Sequence, residues 1–254
     1  MNEARKTVVI ISPAFPENES ATYWVPSQQL LVRALKDNFP QHDFEVLALL
    51  YPYQKSEYRW HGIPVTSYNG MSYPGVKRLL LWRKAWGKLK RLRREKQLAG
   101  ILSFWCMEAA LVGRYFAKRY GLPHFCWLCG QDARKTNRYI KLVRPQAHEL
   151  VAISDFVAAE FYRNHKVQPK YVIPNAIDEK MFPPDLMLQR DIDILGVGAL
   201  IPLKQFDQLI GIAGRLCQQF PGIRVKICGI GKEKENLEAL IRQLGLQNNV
   251  ELIG

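Results

Sequence analysis

No uninterrupted apolar stretch of membrane-spanning length occurs in this 254-residue sequence. The longest apolar segment, near Leu98 to Val112, is broken by Glu108, which argues against a transmembrane span. A secretory leader is not expected either, since MNEARK leads only into the short run Thr7–Ile11, with no small-residue cleavage site after it. Cysteine is sparse and odd in number, five residues at no framework spacing, which excludes a disulfide scaffold and suits a reducing, cytoplasmic compartment. With hydrophobic residues at 48% and aromatics at 11%, a disordered or collagen-like chain is excluded as well. The remaining deficit is in acidic side chains: 23 Asp and Glu face 36 Lys and Arg, a net charge of +13. That imbalance points to a polyanionic partner, whether nucleic acid, an anionic membrane surface or a phosphorylated substrate.

The acidic deficit is local. Between Lys77 and Lys96 ten basic residues stand against Glu95 alone, which leaves a net charge of only four for the rest of the chain. Within that segment Leu79, Trp82, Trp86 and Leu89 recur at helical spacing, so an amphipathic helix with a cationic remainder is predicted. Tryptophans beside cations suit an anionic bilayer, with Lys77, Arg78, Trp82, Arg83, Trp86 and Lys90 as the membrane-facing candidates. The alternative is that the tryptophans pack on the core and the charges are merely solvated. No nucleic-acid-binding module is recognisable, so nucleic acid is the disfavoured partner.

Strand-like and helix-like segments alternate almost from end to end. Strands are expected at Val8–Ser12, Phe44–Leu50, His61–Val65, Gly100–Trp105, His124–Cys129, Leu150–Ile153 and Lys170–Ile173. Helices are expected at Val25–Phe39, Ala109–Tyr120, Arg138–His148 and Asp155–Asn164, the last capped by Ser154. A polar connector containing Pro183-Pro184 follows. Then comes a second βαβαβ pattern of strands Asp193–Val197, Arg224–Cys228 and Val250–Ile253 around helices Phe206–Phe220 and Glu233–Leu244. The fold class is α/β, with two Rossmann-like domains and the second incomplete. The expected limits are an N-terminal, acceptor-side domain over 1–172, a hinge over 173–190 and a partial nucleotide-sugar domain over 191–254. Cys126 and Cys129 have CxxC spacing, but in a strand they point to opposite faces, which favours a structural reading over a redox or metal site.

Five local patterns carry a resemblance: Cys129-Gly130-Gln131-Asp132, Val151-Ala152-Ile153-Ser154, Ile173-Pro174-Asn175-Ala176-Ile177-Asp178 with Phe182, Val197-Gly198-Ala199-Leu200 with Lys204, and Cys228-Gly229-Ile230-Gly231. In this order they resemble the retaining glycosyltransferases of family 4, which have the GT-B fold. The resemblance implies a transferase that moves a sugar from a nucleotide-sugar donor to an envelope polysaccharide or lipid-linked acceptor. It implies retention of configuration and no metal ion or other cofactor. By the same resemblance Asp132 and Lys204 are the catalytic candidates, and Gly198, Lys204, Gly229 and Gly231 the donor-binding ones. Gly130, Arg134, Asn137 and Ser154 are cleft or acceptor candidates, and Pro174, Asn175 and Asp178 mark the hinge. From spacing alone Lys204 is a solvated loop lysine, and Asp132 with Arg134 reads equally as a surface ion pair.

Three departures stand out. Ala199 replaces the family's donor-loop Arg, Cys129 replaces its His, and Pro16-Glu17-Asn18-Glu19-Ser20-Ala21 replaces a glycine-rich turn. The family's paired glutamates fall beyond Gly254, so the chain as given is expected to be inactive. A peripheral location on the inner face of the membrane is the accompanying expectation. The rival readings are a sugar-nucleotide epimerase on the same fold, or a basic membrane- or nucleic-acid-binding module with a degenerate donor site.

Overall fold

The computed structural model describes residues 5–181 and 191–254, so the expected connector Phe182–Arg190, with Pro183-Pro184, lies outside the described residues. The chain divides into two compact units, Met1–Phe182 and Pro183–Gly254. In the first, β1 (Lys6–Ala14), α1 (Pro26–Asn38), β2 (His42–Tyr51), β3 (Lys55–Trp60) and β4 (Ile63–Tyr68) precede the basic helix α2 (Arg78–Glu95). Then follow β5 (Leu98–Phe104), α3 (Glu108–Tyr120), β6 (His124–Leu128), α4 (Tyr139–Val143), β7 (Leu150–Ala152), α5 (Asp155–His165) and β8 (Tyr171–Val172). The eight strands form one sheet in the order β3-β4-β2-β1-β5-β6-β7-β8, parallel except for the β3–β4 pair.

Two local expectations need correction. The single short strand at His61–Val65 is an antiparallel hairpin, β3 and β4, turning at His61 and Gly62 with φ of 45° and 74°, as a two-residue hairpin turn demands. Its outer strand exposes Lys55, Glu57 and Arg59, the charged habit of a sheet edge, and so offers little apolar signal. The helix expected at Arg138–His148 is the short α4, ended by Arg144 at φ 50° ahead of Pro145, which disfavours helical geometry in the residue before it.

Helix α2 buries Leu81, Ala85, Leu89 and Leu92 against β1, β2 and α3 in one core layer, with each leucine contributing about 2 kcal/mol. Its register corrects the amphipathic stripe read from sequence. Trp82 and Trp86 flank that buried face and pack against the core, so neither is a membrane-facing residue. Trp86 meets Phe116 edge-on, with ring centroids 5.1 Å apart. Replacing Trp86 by alanine is expected to cost about 2 kcal/mol, less than a fully buried tryptophan, as read from the urea midpoint.

The opposite face of the sheet carries α1 over β2 and β1. Beside it Leu102, Phe125, Trp127, Val151, Tyr171 and Ile173 border an apolar groove of about 590 Å³. The groove lies toward the amino ends of β1, β2 and β6, away from the loops where α/β sites form.

The second unit contains β9 (Ile194–Val197), α6 (Phe206–Leu216), β10 (Val225–Cys228), α7 (Lys234–Gln243) and β11 (Val250–Leu252). Its strands are parallel, in the order β11-β10-β9. Phe206, Ile210, Ala213, Leu237 and Ile241 of the helices close over Val225, Ile227 and Val250.

Candidate functional site

In the first unit the loops at the carboxyl ends of β1, β5, β6 and β7 hold the predicted site residues. The loop after β1 has no glycine. Instead the Asn18 carboxamide oxygen accepts from the Ser20 and Ala21 amides, both at 3.0 Å, and so turns the chain with a side chain where a relative uses backbone freedom.

Asp132 is fully buried. Its carboxylate accepts from the Cys106 amide at 2.9 Å and the Cys129 amide at 2.7 Å, which ties the loop after β5 to the loop after β6. Burial pushes its carboxyl up to about 7, against the pull of those two amides. A group enclosed in this way holds other residues in place and does not touch a substrate, which corrects both the catalytic assignment and the surface pair with Arg134. Asn137 is a second brace. Its amide donates to the Cys106 and Asp132 carbonyls, both at 3.2 Å. Ser154 Oγ accepts from the Val157 amide at 3.2 Å, so it serves as the cap of α5 and not as a cleft group.

Gly130 and Arg134 are the predicted cleft residues that open to solvent. Arg134 borders a polar concavity of about 360 Å³ with Met107, Gln131, Thr136, Asn137, Arg138 and Tyr139. Of these, sequence reasoning missed Arg138 and Tyr139, although an Arg-rich loop after a strand was the available signal. Tyr139 donates to Glu108 Oε1 at 2.9 Å. The same carboxylate lies 3.4 Å from Arg78 Nε and accepts from the Trp82 indole at 3.3 Å.

Cys126 is completely buried, and burial with Cys106 beside it drives its thiol well up. Cys129 is pushed up to about 11 by burial and accepts from the Trp105 indole at 2.9 Å. Neither is a thiolate at neutral pH, and both cysteines are free.

In the second unit Gly198, Gly229 and Gly231 meet one another before any ligand. A Cβ on Gly229 would stand 1.9 Å from the Gly198 carbonyl oxygen, and one on Gly231 would stand 2.2 Å from that of Leu200. Their small size therefore lets the β10 turn lie on the β9 loop, where Leu200 N donates to Ile230 O at 2.9 Å. The Lys204 side chain crosses Gly198 with its Cε at 3.6 Å from the position a Cβ would take, and the lysine itself is exposed just before α6. Asp178 accepts from the Lys180 amide at 3.1 Å, while Pro174 and Asn175 are exposed in an extended segment.

Residues 178–254 match the family model described as "Glycosyl transferases group 1". The chain carries a glycosyl transferases group 1 domain. Among curated relatives it is 29% identical over 161 residues to the phosphatidylinositol N-acetylglucosaminyltransferase gpi3 subunit of Schizosaccharomyces pombe, covering 61% of this chain and 35% of that one. It is 38% identical over 84 residues to the phosphatidylinositol N-acetylglucosaminyltransferase of Homo sapiens, covering 33% and 17%. The chain thus spans about a third of the length of the yeast relative and less of the human one. Among solved structures, sucrose-phosphate synthase from Thermosynechococcus elongatus superposes with a TM-score of 0.70 at 16% identity, over 98% of this chain and 70% of that one. An α,α-trehalose-phosphate synthase from Burkholderia vietnamiensis gives 0.60 at 11% identity, over 97% and 72%. The group 1 domain and these neighbours establish the GT-B class of fold.

Proposed function

We propose that this protein is a glycosyltransferase that moves a sugar from a nucleotide-sugar donor to a glycan or lipid-linked acceptor, with anomeric configuration retained and without a metal ion. Lys204 carries the reading on the donor side. The departing nucleoside diphosphate gains negative charge in the transition state. An ammonium held over Gly198, beside the first amides of α6, supplies a counter-charge where that group departs. The acceptor side is the polar concavity of Arg134, Arg138 and Tyr139, whose guanidinium groups suit a phosphate-bearing acceptor. Relatives named for a phosphatidylinositol acceptor and for exopolysaccharide keep both acceptor classes in view. Ala199 removes one phosphate contact, which places more of the donor binding on Lys204.

Replacing Lys204 by alanine is expected to weaken binding of the preferred sugar nucleotide by ten- to a hundredfold, on the order of a lost charge-assisted hydrogen bond, with the melting temperature of the free protein unchanged. Titration calorimetry against a panel of UDP-, GDP- and ADP-sugars tests this. Equal affinity in the variant, or no binding by the parent across the panel, removes the proposal's support.

A further inference from the structure

The outward face of α2 has a polarity that its sequence pattern conceals. Val76, Leu79 and Leu80 are 85%, 55% and 50% exposed. Their spacing of i, i+3 and i+4 gathers them into one apolar tip at the amino end of the helix. Met71 is a further exposed apolar residue on the preceding turn. Beyond the tip, Arg83, Lys90, Arg91 and Arg94 are exposed along the same outward face over about 16 Å of helix. The remaining cations of the segment are largely spoken for. Lys88 and Lys96 pair with Glu45, Arg78 pairs with Glu108, and Lys84 donates to the Tyr73 hydroxyl. On the outward face Arg91 alone has a carboxylate partner, Glu95, among the described residues.

We infer that this face seats on an anionic bilayer, with Val76, Leu79 and Leu80 inserted among the lipid chains and Arg83, Lys90 and Arg94 lying along the headgroups. Charge complementarity selects the occupant. A cationic stripe almost free of carboxylates repels a basic surface and attracts an anionic one, and the apolar tip has nothing to gain from nucleic acid. The seat is wired to the acceptor pocket. Arg78, in the turn that carries the tip, holds Glu108, and Glu108 holds Tyr139 in the pocket wall. A lipid-linked acceptor therefore meets the pocket from the membrane side. This last step rests on the acceptor reading above, whereas the seat does not.

Co-sedimentation with phosphatidylcholine vesicles, with and without phosphatidylglycerol, tests the seat. The parent chain is expected to pellet only with the anionic vesicles. Combining Arg83→Gln, Lys90→Gln and Arg94→Gln is expected to lower partitioning about a hundredfold, at about tenfold or less per cation. Combining Val76→Asp, Leu79→Asp and Leu80→Asp is expected to lower it at least tenfold. All six positions are exposed, and unchanged melting curves verify that the variants fold. Trp86→Phe is expected to leave partitioning unchanged. Binding to neutral and anionic vesicles alike, loss only in Trp86→Phe, or retention on RNA without any vesicle binding would each overturn the inference. Sugar-nucleotide titration on the same preparation separates a failure of the membrane seat from a failure of the transferase reading.

Discussion

Alanine at Gly229 is expected to unfold the second unit. The added Cβ stands 1.9 Å from the Gly198 oxygen and 2.9 Å from its carbonyl carbon. Both neighbours are backbone, so no side chain can swing away. Relief requires the two loops to part, which breaks the bonds Gly198 N to Cys228 O at 3.0 Å and Leu200 N to Ile230 O at 2.9 Å. The backbone of Gly229 also sits at φ 158°, where an L-residue adds strain. A loss of about 4 kcal/mol or more follows, which is most of what a unit of this size holds in reserve. Thermal denaturation followed by circular dichroism should show the second unit melting apart from the first. A variant with the parent's transition would mean that the loops are not in contact in solution. The conservative control is Gly222→Ala, whose Cβ meets nothing within 4 Å and which is expected to be neutral.

That clash shows why part of the site was illegible in the sequence. The Gly-x-Gly pattern was visible, and its position after a strand was correct. Which atoms would crowd the missing Cβ depends on a loop one strand–helix unit earlier, and no local pattern encodes that. The same limit governs Asp132. An aspartate after a strand, beside a glycine, reads as a cleft residue, yet its two partners are amides on separate loops, and only the folded sheet brings Cys106 and Cys129 together. Strand and helix order, by contrast, was legible because apolar period and cap chemistry are local. Ser154 at the head of α5 and Gly121 with φ 67° at the end of α3 are direct consequences of side-chain and backbone chemistry.

The basic segment shows a subtler failure. A stripe through Leu79, Trp82, Trp86 and Leu89 has helical spacing, and so does the stripe through Leu81, Ala85, Leu89 and Leu92. The second is the buried one. Tryptophans bias the eye toward the first because of their size, but the close layer between α2 and β1 accepts Ala85 and not an indole. With the tryptophans on the flank, the exposed leucines lie at one end of the helix and the cations along the rest. That separation of apolar tip from charged shaft is what a surface-seated helix needs, and a periodicity count averages it away.

Two buried titrating groups give the first unit an unusual pH response. His124 is 7% exposed, bonded through Nε2 to Ser103 Oγ at 3.0 Å, and burial lowers its pKa from 6.5 to about 4. The unfolded chain therefore binds a proton that the fold refuses, and stability falls as pH drops between those values. The total is about 3 kcal/mol at 1.36 kcal/mol per unit. Asp132 acts in the opposite sense. Its carboxyl rises from 3.8 to about 7, so the fold holds a proton that the unfolded chain has released, and stability falls as pH rises across that interval. The Asp132 interval encloses the His124 interval, and the two slopes, each about 1.4 kcal/mol per pH unit, oppose each other. His165, also lowered by burial, adds to the His124 side. Glu57, held down by Lys88, contributes at the acid end. The parent is therefore expected to show an almost level urea midpoint across most of the pH interval from 4 to 6.5. His124→Gln should unmask the Asp132 slope and lose stability toward neutral pH. Asp132→Asn starts about 1–3 kcal/mol lower, because one buried amide loses its acceptor, and should lose further stability toward acid. If both variants keep the parent's level profile, neither group titrates in the way its burial dictates.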